Sequence, residues 1–386
     1  MALIAHTPTF STAEPGGAGQ APEADSPFDR HGMWIWYVDR SDGGDPARIV
    51  ARAERHGIGA VYVKAGDAGH VWSQFSRSLV GALHQGGLDV CAWQFVYGDR
   101  PVAEAQVGAG AVAKGADCLI IDAEGQYEGK YAAADRYIRA LRARIGPDFP
   151  LSLAGFPYVD YHPAFPYSVF FGPGGATHNQ PQMYWKTIGT SVRAVFEHTY
   201  LFNRLWNHPI HPIGQTYERP GPKSLRRFRR FAASYGGAVS WWDWQETSGR
   251  EWGALGADIA GPLVGYRPIV SNPILTRGSR GDLVVWAQTH LVGAGQRLPI
   301  TGVFGRLTRA AVRSFQESRG LPVNGKVDDP TWSSLLDVPP VRPSWAAASS
   351  RRDQGGATAG RLALSGKPQS ASLPAKAYEI DTGPAP

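Results

Sequence analysis

Short apolar runs alternate with amphipathic stretches between residues 33 and 244. Eight of these runs are rich in β-branched and aromatic residues and have the length of buried strands. They are MWIWYV (33–38), AVYVKA (60–65), VCAWQFVY (90–97), CLIID (118–122), LSLAGF (151–156), PQMYW (181–185), PIGQTY (212–217) and AVSWWDW (238–244). Between the early runs, apolar residues recur at helical spacing, which predicts helices at DPARIVARAERHG (45–57) and FSRSLVGALHQGG (75–87).

Eight strands that alternate with helices over about 215 residues predict an α/β fold of the (β/α)8 TIM-barrel type. A doubly wound open sheet is the alternative, although that architecture usually has fewer units. The segment HPAFPYSVFFGPGGATHNQ (162–180) has the composition of a loop, so the second half of the barrel is expected to be distorted.

A second unit is predicted at residues 269–338, where the sequence repeats itself. TGVFGRLTRAAV (301–312) aligns with NGKVDDPTWSSL (324–335), and each copy reads as a glycine turn that leads into a helix. The preceding GDLVVWAQTHL (281–291) supplies a third helix. Three short helices can bury a small shared core, so this unit is expected to be a three-helix domain.

The residues outside these two units are rich in Ala, Gly and Pro and lack hydrophobic periodicity, so they are expected to be disordered. The predicted organisation is therefore a disordered segment 1–29, a barrel 30–268, a helical domain 269–338 and a disordered tail 339–386. The first residues lack the basic and apolar segments of a secretory signal. No run of apolar residues is long enough to predict a membrane span.

The 386 residues are 43% hydrophobic and 19% charged, as in a globular protein. The net charge of +6 permits an anionic partner without requiring one. The basic run KSLRRFRR (223–230) carries an apolar stripe and is interpreted as a solvated helix face. Because no nucleic-acid-binding motif accompanies it, nucleic acid is not expected as a partner. The oligomeric state is not indicated by the sequence.

The two cysteines, Cys91 and Cys118, lie in apolar strand-like runs and are interpreted as buried thiols. They would pair only if their strands were neighbours, which the sequence does not show. Cysteine and histidine residues do not cluster at zinc-binding spacings, and His208 and His211 lack a third ligand nearby. Neither a metal nor another cofactor is therefore expected.

The run CLIID passes directly into a group of carboxylates. Alternate side chains of a strand share a face, so Asp122 and Glu124 are predicted to point into the barrel together with Cys118 and Ile120. They would then lie at the carboxyl end of the fourth strand, where barrels place their chemistry. Glu128 lies beyond the strand and is expected to be a loop residue.

Two neighbouring carboxylates shift each other's pKa values, so one can donate a proton near neutral pH while the other stays charged. Glycoside hydrolysis uses such a pair, which makes Asp122 and Glu124 candidate catalytic residues. The alternative is that they form a polar strand end without chemistry.

Aromatic and hydrogen-bonding side chains are concentrated at the other predicted strand ends, and ten of the 13 tryptophans lie between residues 34 and 252. Such a mixture suits a sugar, which has apolar faces and hydroxyl edges. The candidate binding residues are Lys64, Asp67, Trp93, Gln94, Tyr184, Trp185, Gln215, Asp243 and Trp244. For each single aromatic residue, core packing is the alternative.

Three of these motifs resemble the family 25 lysozymes, which cleave the glycan chains of peptidoglycan. They are Lys64–Ala65 at the second strand end, Trp93–Gln94–Phe95 in the third strand and Asp122–Ala123–Glu124 at the fourth. The fourth strand also resembles the D-x-x-D-x-D-x-E motif of the family 18 chitinases, at Asp117, Asp122 and Glu124, with Ile120 in place of one Asp.

This resemblance implies that Glu124 is the general acid, that Asp122 positions the N-acetyl group of the substrate, and that Tyr184 supports that group. The family 25 lysozymes also carry an inward Asp early in the first strand. Here that run reads Met33–Trp34–Ile35–Trp36, and the nearest acid is Asp39.

Residues 269–338 resemble the type 1 peptidoglycan-binding domain. The matching residues are Gly302, Phe304, Gly305, Thr308, Ala311, Val312, Phe315, Gln316, Gly320, Leu321, Gly325, Thr331 and Trp332. Thr301 and Asn324 replace turn acids of the pattern, and Asp328 stands at a glycine position. The resemblance implies peptidoglycan or a related polysaccharide as the partner, and a location outside the cytoplasm or in the cell wall.

These features together predict a cell-wall-directed, glycoside hydrolase-like protein that binds peptidoglycan and cleaves N-acetylated glycan by general acid catalysis. The alternative is a non-catalytic peptidoglycan-binding protein with an inactive barrel, which the missing acid in the first strand favours. Hydrolysis of a different polysaccharide is a third hypothesis.

Overall fold

The structure is a computed structural model that describes residues 26–345. Nearly all of the predicted disordered segment 1–29, and the tail from residue 346 onward, lie outside the described residues. Within 26–345, no helix is long and apolar enough to cross a membrane.

Eight parallel strands form a nearly closed barrel, with neighbours in the order β7-β6-β5-β4-β2-β1-β9-β8. Two single bridges, Asn179 to Ile210 and Gln182 to Ile213, connect the two ends of this order. A short ninth strand, β3, pairs antiparallel with the end of β2. The strands are β1 Gly32–Ile35, β2 Ala60–Asp67, β3 His70–Val71, β4 Asp89–Val96, β5 Cys118–Ala123, β6 Leu151–Gly155, β7 His178–Pro181, β8 Ile213–Gln215 and β9 Ser240–Trp242. The barrel prediction is confirmed and the open sheet is excluded.

All eight predicted strands overlap observed ones, but the predicted strand 181–185 shares only Pro181 with its observed counterpart. The observed strand β7 has the polar sequence HNQP and begins three residues earlier. His178 packs against the ring of Phe28, and Gln180 is fully buried. Polar residues inside the barrel therefore hide the strand from a search for apolar runs.

The helices are α1 Pro46–Arg55, α2 Arg77–Gln85, α3 Pro101–Val112, α4 Tyr131–Ile145, α5 Tyr167–Phe170, α6 Trp185–Ile188, α7 Val192–Asn203, α8 Pro222–Ser234, α9 Gly249–Leu255, α10 Asp282–Gly293, α11 Arg306–Ser318 and α12 Asp329–Leu336. Side chains cap the first two: Asp45 accepts from the backbone of α1 and Ser76 from that of α2. The helix after β6, α5, has only four residues. This short helix corresponds to the distortion that the sequence predicted for the second half of the barrel.

The side chains of β5 alternate between two cores. Cys118 and Ile120 lie inside the barrel with Trp34 and Trp93. Leu119, Ile121 and Ala123 belong to the larger core between the barrel and its helices. Asp122 continues the inward series, so the alternation expected from the sequence is present.

The interpretation of Cys91 and Cys118 as free thiols is wrong, because the two residues form a disulfide. They lie opposite each other in the parallel register of β4 and β5. The adjacency of those strands, which the sequence did not reveal, brings the sulfur atoms together inside the barrel.

We expect the double substitution of Cys91 and Cys118 by alanine to lower the free energy of unfolding by about 3–4 kcal/mol, since the bond closes a loop across 27 positions of sequence. Urea denaturation of the oxidised protein, the reduced protein and the double variant measures this. A loss below about 1 kcal/mol in both the reduced protein and the variant would contradict the expectation.

The repeat in the helical domain corresponds to two equivalent turns. The side-chain oxygen of Gln288 accepts hydrogen bonds from the backbone of Thr301 and Gly302, at 2.8 and 3.0 Å. The side chain of Gln316 accepts in the same way from Gly325, at 2.9 Å. Gly302 and Gly325 have φ values of +67° and +71°, the left-handed region that favours glycine.

Helix α10 of this domain packs on the barrel where α5 is too short to cover it. Asp282, at its first turn, accepts hydrogen bonds from the backbone and hydroxyl of Ser168, at 2.7 and 2.6 Å. Further along, Trp286 donates its indole N–H to the carbonyl of Leu205, at 2.7 Å, and its ring lies 5.5 Å from that of Trp206. The two units therefore share one continuous apolar core.

Candidate active site

A pair of buried carboxylates lies at the carboxyl end of β5. Asp122 is 4% exposed and Glu124, just beyond the strand, is 5% exposed. The amide nitrogen of Gln182 donates to both, at 3.0 Å to Asp122 Oδ1 and 3.1 Å to Glu124 Oε1. The two carboxyl groups are thus held together by a single amide from the segment after β7.

Burial changes the protonation of this pair. It raises the pKa of Glu124 to about 7, against a partial opposing effect of the Gln182 hydrogen bond. Burial and the charge of Glu124 raise the pKa of Asp122 well above its usual range, and the Lys64 ammonium acts in the opposite direction. The pair therefore retains a proton near neutral pH, which is the condition for a general acid.

A β-bulge brings Lys64 and Asp67 together beside the pair. Lys64 is in register with Trp93, whereas Gly66 is in register with Gln94. The extra residue shifts the alternation of side chains, so Lys64 and Asp67 meet although three positions separate them. Their ion pair measures 2.7 Å. Burial lowers the pKa of Lys64, and the nearby carboxylate of Asp67 acts against that shift.

Tryptophan rings enclose the Lys64 ammonium. Its Nζ atom lies 4.3 Å from the ring centre of Trp72, 4.9 Å from that of Trp93 and 5.3 Å from that of Trp36. Trp93 continues the aromatic surface towards Trp242, at 5.3 Å between ring centres. The aromatic faces stabilise this cation in addition to its ion pair with Asp67.

Tyr184 and Asp243 complete the mouth of the barrel. Burial raises the pKa of Tyr184, and so do the charges of Tyr217, Asp122, Glu124 and Asp243, so its hydroxyl remains protonated. Burial also raises the pKa of Asp243 to about 8. The ring of Tyr184 packs edge-on against that of Tyr217, at 5.6 Å between ring centres.

Both candidate glutamines, Gln94 and Gln215, use their side chains in contacts away from the carboxylate pair. The amide of Gln94, on the outer face of β4, donates to the carbonyls of Ala68 and Glu104 at 2.7 and 2.9 Å. The amide oxygen of Gln215 accepts from the backbone of Lys186 at 2.7 Å, at the start of α6. Both side chains fasten loops and helices to the barrel.

Two of the candidate tryptophans belong to the outer core. The ring of Trp185 packs against Phe228 at 5.0 Å, and that of Trp244 packs against Trp252 at 4.8 Å. The indole N–H of Trp244 donates to Asp42 at 3.0 Å. The structure therefore separates these two rings from the carboxylate pair.

Sequence reasoning missed Gln182, Trp36, Trp72 and Trp242. Gln182 lies two positions before the candidate Tyr184. In an extended segment, residues two positions apart share a face, and this spacing was the sequence signal for Gln182. The three tryptophans lie in or next to apolar runs, where an aromatic residue is usually part of the core. Across residues 26–345, no group of three or more His, Cys, Asp or Glu side chains is arranged to hold a metal ion.

A parallel α/β barrel with a buried carboxylate pair and aromatic rings at the carboxyl ends of its strands is a glycoside hydrolase-like arrangement. The helical unit has a matching family: residues 280–335 match the family described as "Putative peptidoglycan binding domain". The chain therefore carries a peptidoglycan-binding domain, which relates the protein to the cell wall. No curated protein matches the sequence.

Several solved structures are similar to parts of the chain. A peptidoglycan-binding protein from Clostridioides difficile is 35% identical over 16% of this chain and 40% of that one, with a TM-score of 0.16, so the match spans less than half of that protein. A thermostable chitinase domain from Pyrococcus furiosus is 12% identical over 59% and 92% of the two chains, with a TM-score of 0.45. The Bacillus cereus spore cortex-lytic enzyme SleL is 10% identical over 60% and 75%, with a TM-score of 0.43.

Proposed function

We propose that the protein binds peptidoglycan through residues 280–335 and cleaves N-acetylated glycan at the mouth of the barrel. The observation that carries this proposal is the buried pair of Asp122 and Glu124 bridged by Gln182. A buried pair that keeps a proton near neutral pH supplies both an acid and a second carboxylate. We further propose a boundary between the two units near residue 268.

In this mechanism, Glu124 gives its proton to the glycosidic oxygen as the bond from that oxygen to the anomeric carbon breaks. Asp122 orients the N-acetyl group, whose carbonyl oxygen forms a bond to the anomeric carbon. Water then attacks that carbon, the bond from the carbon to the carbonyl oxygen breaks so that the N-acetyl group is restored, and one proton of the water returns to Glu124. In this proposal Tyr184 donates a hydrogen bond to the N-acetyl group, and its raised pKa supports this role because the hydroxyl stays protonated.

Two further features support a wall-associated protein. The disulfide between Cys91 and Cys118 is typical of proteins that fold outside the reducing cytosol. The binding domain would hold the barrel close to the polymer, which raises the local concentration of substrate.

The second candidate is a wall-binding protein without catalysis. The interior position on β1 where family 25 lysozymes keep an acid is taken by Trp34, and Asp39 lies in the loop beyond the strand, exposed. Incubation with peptidoglycan sacculi and chitin oligosaccharides separates the two candidates. Release of reducing ends supports the enzyme, and binding without release supports the second candidate. If the protein does not bind sacculi at all, both candidates are contradicted.

The expected pH dependence follows from Glu124. Because burial raises its pKa from 4.5 to about 7, the protonated acid is present below that pH and is lost above it. We expect kcat/KM on a soluble oligosaccharide to fall as the pH rises above about 7. A decline that begins near pH 5, as for an exposed glutamate, would show that Glu124 is not the acid.

A further inference from the structure

A cavity of about 620 Å³ lies between the loop after β1 and the hairpin of β2 and β3. Its lining includes Tyr37, Val38, Asp39, Val71, Trp72 and Leu79. The apolar part of this lining is largely aliphatic, in contrast to the aromatic surface at the mouth of the barrel.

The cavity and the candidate active site share a wall. One ring, that of Trp72, lines the cavity and also lies 4.3 Å from the ammonium of Lys64 in the site. The ring of Trp72 therefore forms the boundary between the cavity and the part of the site around Lys64.

The cavity is preformed, because one half-buried amide connects its two loops through hydrogen bonds. The amide nitrogen of Gln74 donates to the carbonyls of Trp36 and Lys64, at 2.7 and 3.0 Å. The amide oxygen of Gln74 accepts from the backbone of Val38 at 3.0 Å. A ligand would meet this shape without prior rearrangement.

The aromatic faces in the cavity are mostly covered. The ring of Tyr37 stacks on Trp36 at 5.2 Å and 17°, and the guanidinium of Arg40 lies 4.2 Å from its centre. The Lys64 ammonium lies over the ring of Trp72. A further sugar ring, which needs an open aromatic face, is therefore a poor fit.

The remaining surface suits a short peptide. Val71 is 59% exposed and, with Val38 and Leu79, offers aliphatic contacts for small side chains. Asp39 and Arg40 are exposed beside these contacts and provide one charge of each sign, complementary to an ammonium and a carboxylate.

We propose that this cavity binds the peptide carried by the sugars of peptidoglycan, which combines small apolar side chains with free carboxylates and amines. The inference rests on the proposed function for its substrate class, because it places the glycan at the carboxylate pair. The inference adds that the protein binds glycan chains that carry peptides more tightly than the same glycan chains without peptides.

The test uses the full chain with labelled methyl groups and two soluble oligosaccharides, one with peptides and one from which they were removed. The methyl signals of Leu79 report occupancy of the cavity whether or not cleavage occurs. We expect those signals to shift only when the peptide-bearing oligosaccharide is added. We expect Val71→Asp to weaken the binding of that oligosaccharide about tenfold. Val102→Asp, an exposed valine on α3, is the matched control and is expected to leave binding unchanged.

Three results would overturn the proposal. Equal shifts with both oligosaccharides would mean that the cavity takes sugar, and absence of shifts with both would mean that neither part of the polymer enters it. An equal effect of Val71→Asp and Val102→Asp would place the peptide elsewhere. If the peptide-bearing oligosaccharide binds in the cavity but is not cleaved, only the proposed catalysis is contradicted, and the proposed peptide site is supported.

Discussion

Replacement of Glu124 by glutamine is expected to lower kcat/KM for glycan cleavage by about 10²–10⁴-fold, the usual contribution of a general acid. Glutamine has the shape of glutamate and keeps an oxygen for the amide of Gln182, which donates at 3.1 Å in the native site. It has no acidic proton to give to the leaving oxygen. Binding to peptidoglycan should persist, because the domain at 280–335 is unchanged.

Glu128→Gln is the matched control for this experiment. Glu128 lies four positions further along the same loop, and its carboxylate pairs with His162 at 2.8 Å rather than with the buried pair. Reducing-end release from sacculi and from chitin oligosaccharides is compared for the wild type and both variants. Equal release by the wild type and Glu124→Gln would remove Glu124 as the acid. Loss in both variants would point to a disturbed loop instead of lost acid catalysis.

The carboxylate pair was predictable because it depends on local geometry. An apolar run of strand length followed by D-x-E places Asp122 and Glu124 on one face of β5, whatever the rest of the chain does. The same rule applied to β2 fails, because the bulge after Lys64 reverses the parity of Asp67. The sequence AVYVKAGD contains no pattern that predicts this β-bulge.

The other discrepancies come from contacts between distant parts of the chain. Gln94 follows the inward Trp93 and therefore faces α3, so strand parity could have set it apart from the mouth of the barrel. The disulfide between Cys91 and Cys118 required knowledge that β4 and β5 are neighbours in register. Gln182 joins Asp122 and Glu124 across about 60 residues, and the parity that it shares with Tyr184 does not by itself predict this contact.

The packing of the helical domain against the barrel could not be predicted from the sequence either. Hydrophobic periodicity identified a barrel and a three-helix domain, each with its own apolar pattern. It did not show that α10 covers the barrel beside the four-residue helix α5. The nine buried residues of α10 are more than a small three-helix core requires, and this is explained by its two-sided packing.

Trp286→Ala is expected to lower the free energy of unfolding of the whole chain by about 3–5 kcal/mol. The ring is 3% exposed, packs against Trp206 of the barrel unit and donates to the carbonyl of Leu205. The substitution therefore opens a cavity between the units and leaves a buried carbonyl without its donor. Because the two units share a core, we expect the barrel itself to be destabilised.

Leu307→Ala is the control within the same helical domain, since Leu307 is 62% exposed on α11 and its truncation should change stability by no more than about 0.5 kcal/mol. Urea denaturation gives the total change, and hydrogen exchange at the amides of β6 and β7 shows whether the barrel is affected. Faster exchange in those strands in Trp286→Ala indicates that α10 stabilises the barrel. Faster exchange confined to α10, α11 and α12 would mean that the domain unfolds independently, and that the barrel is stable without the helix that covers it.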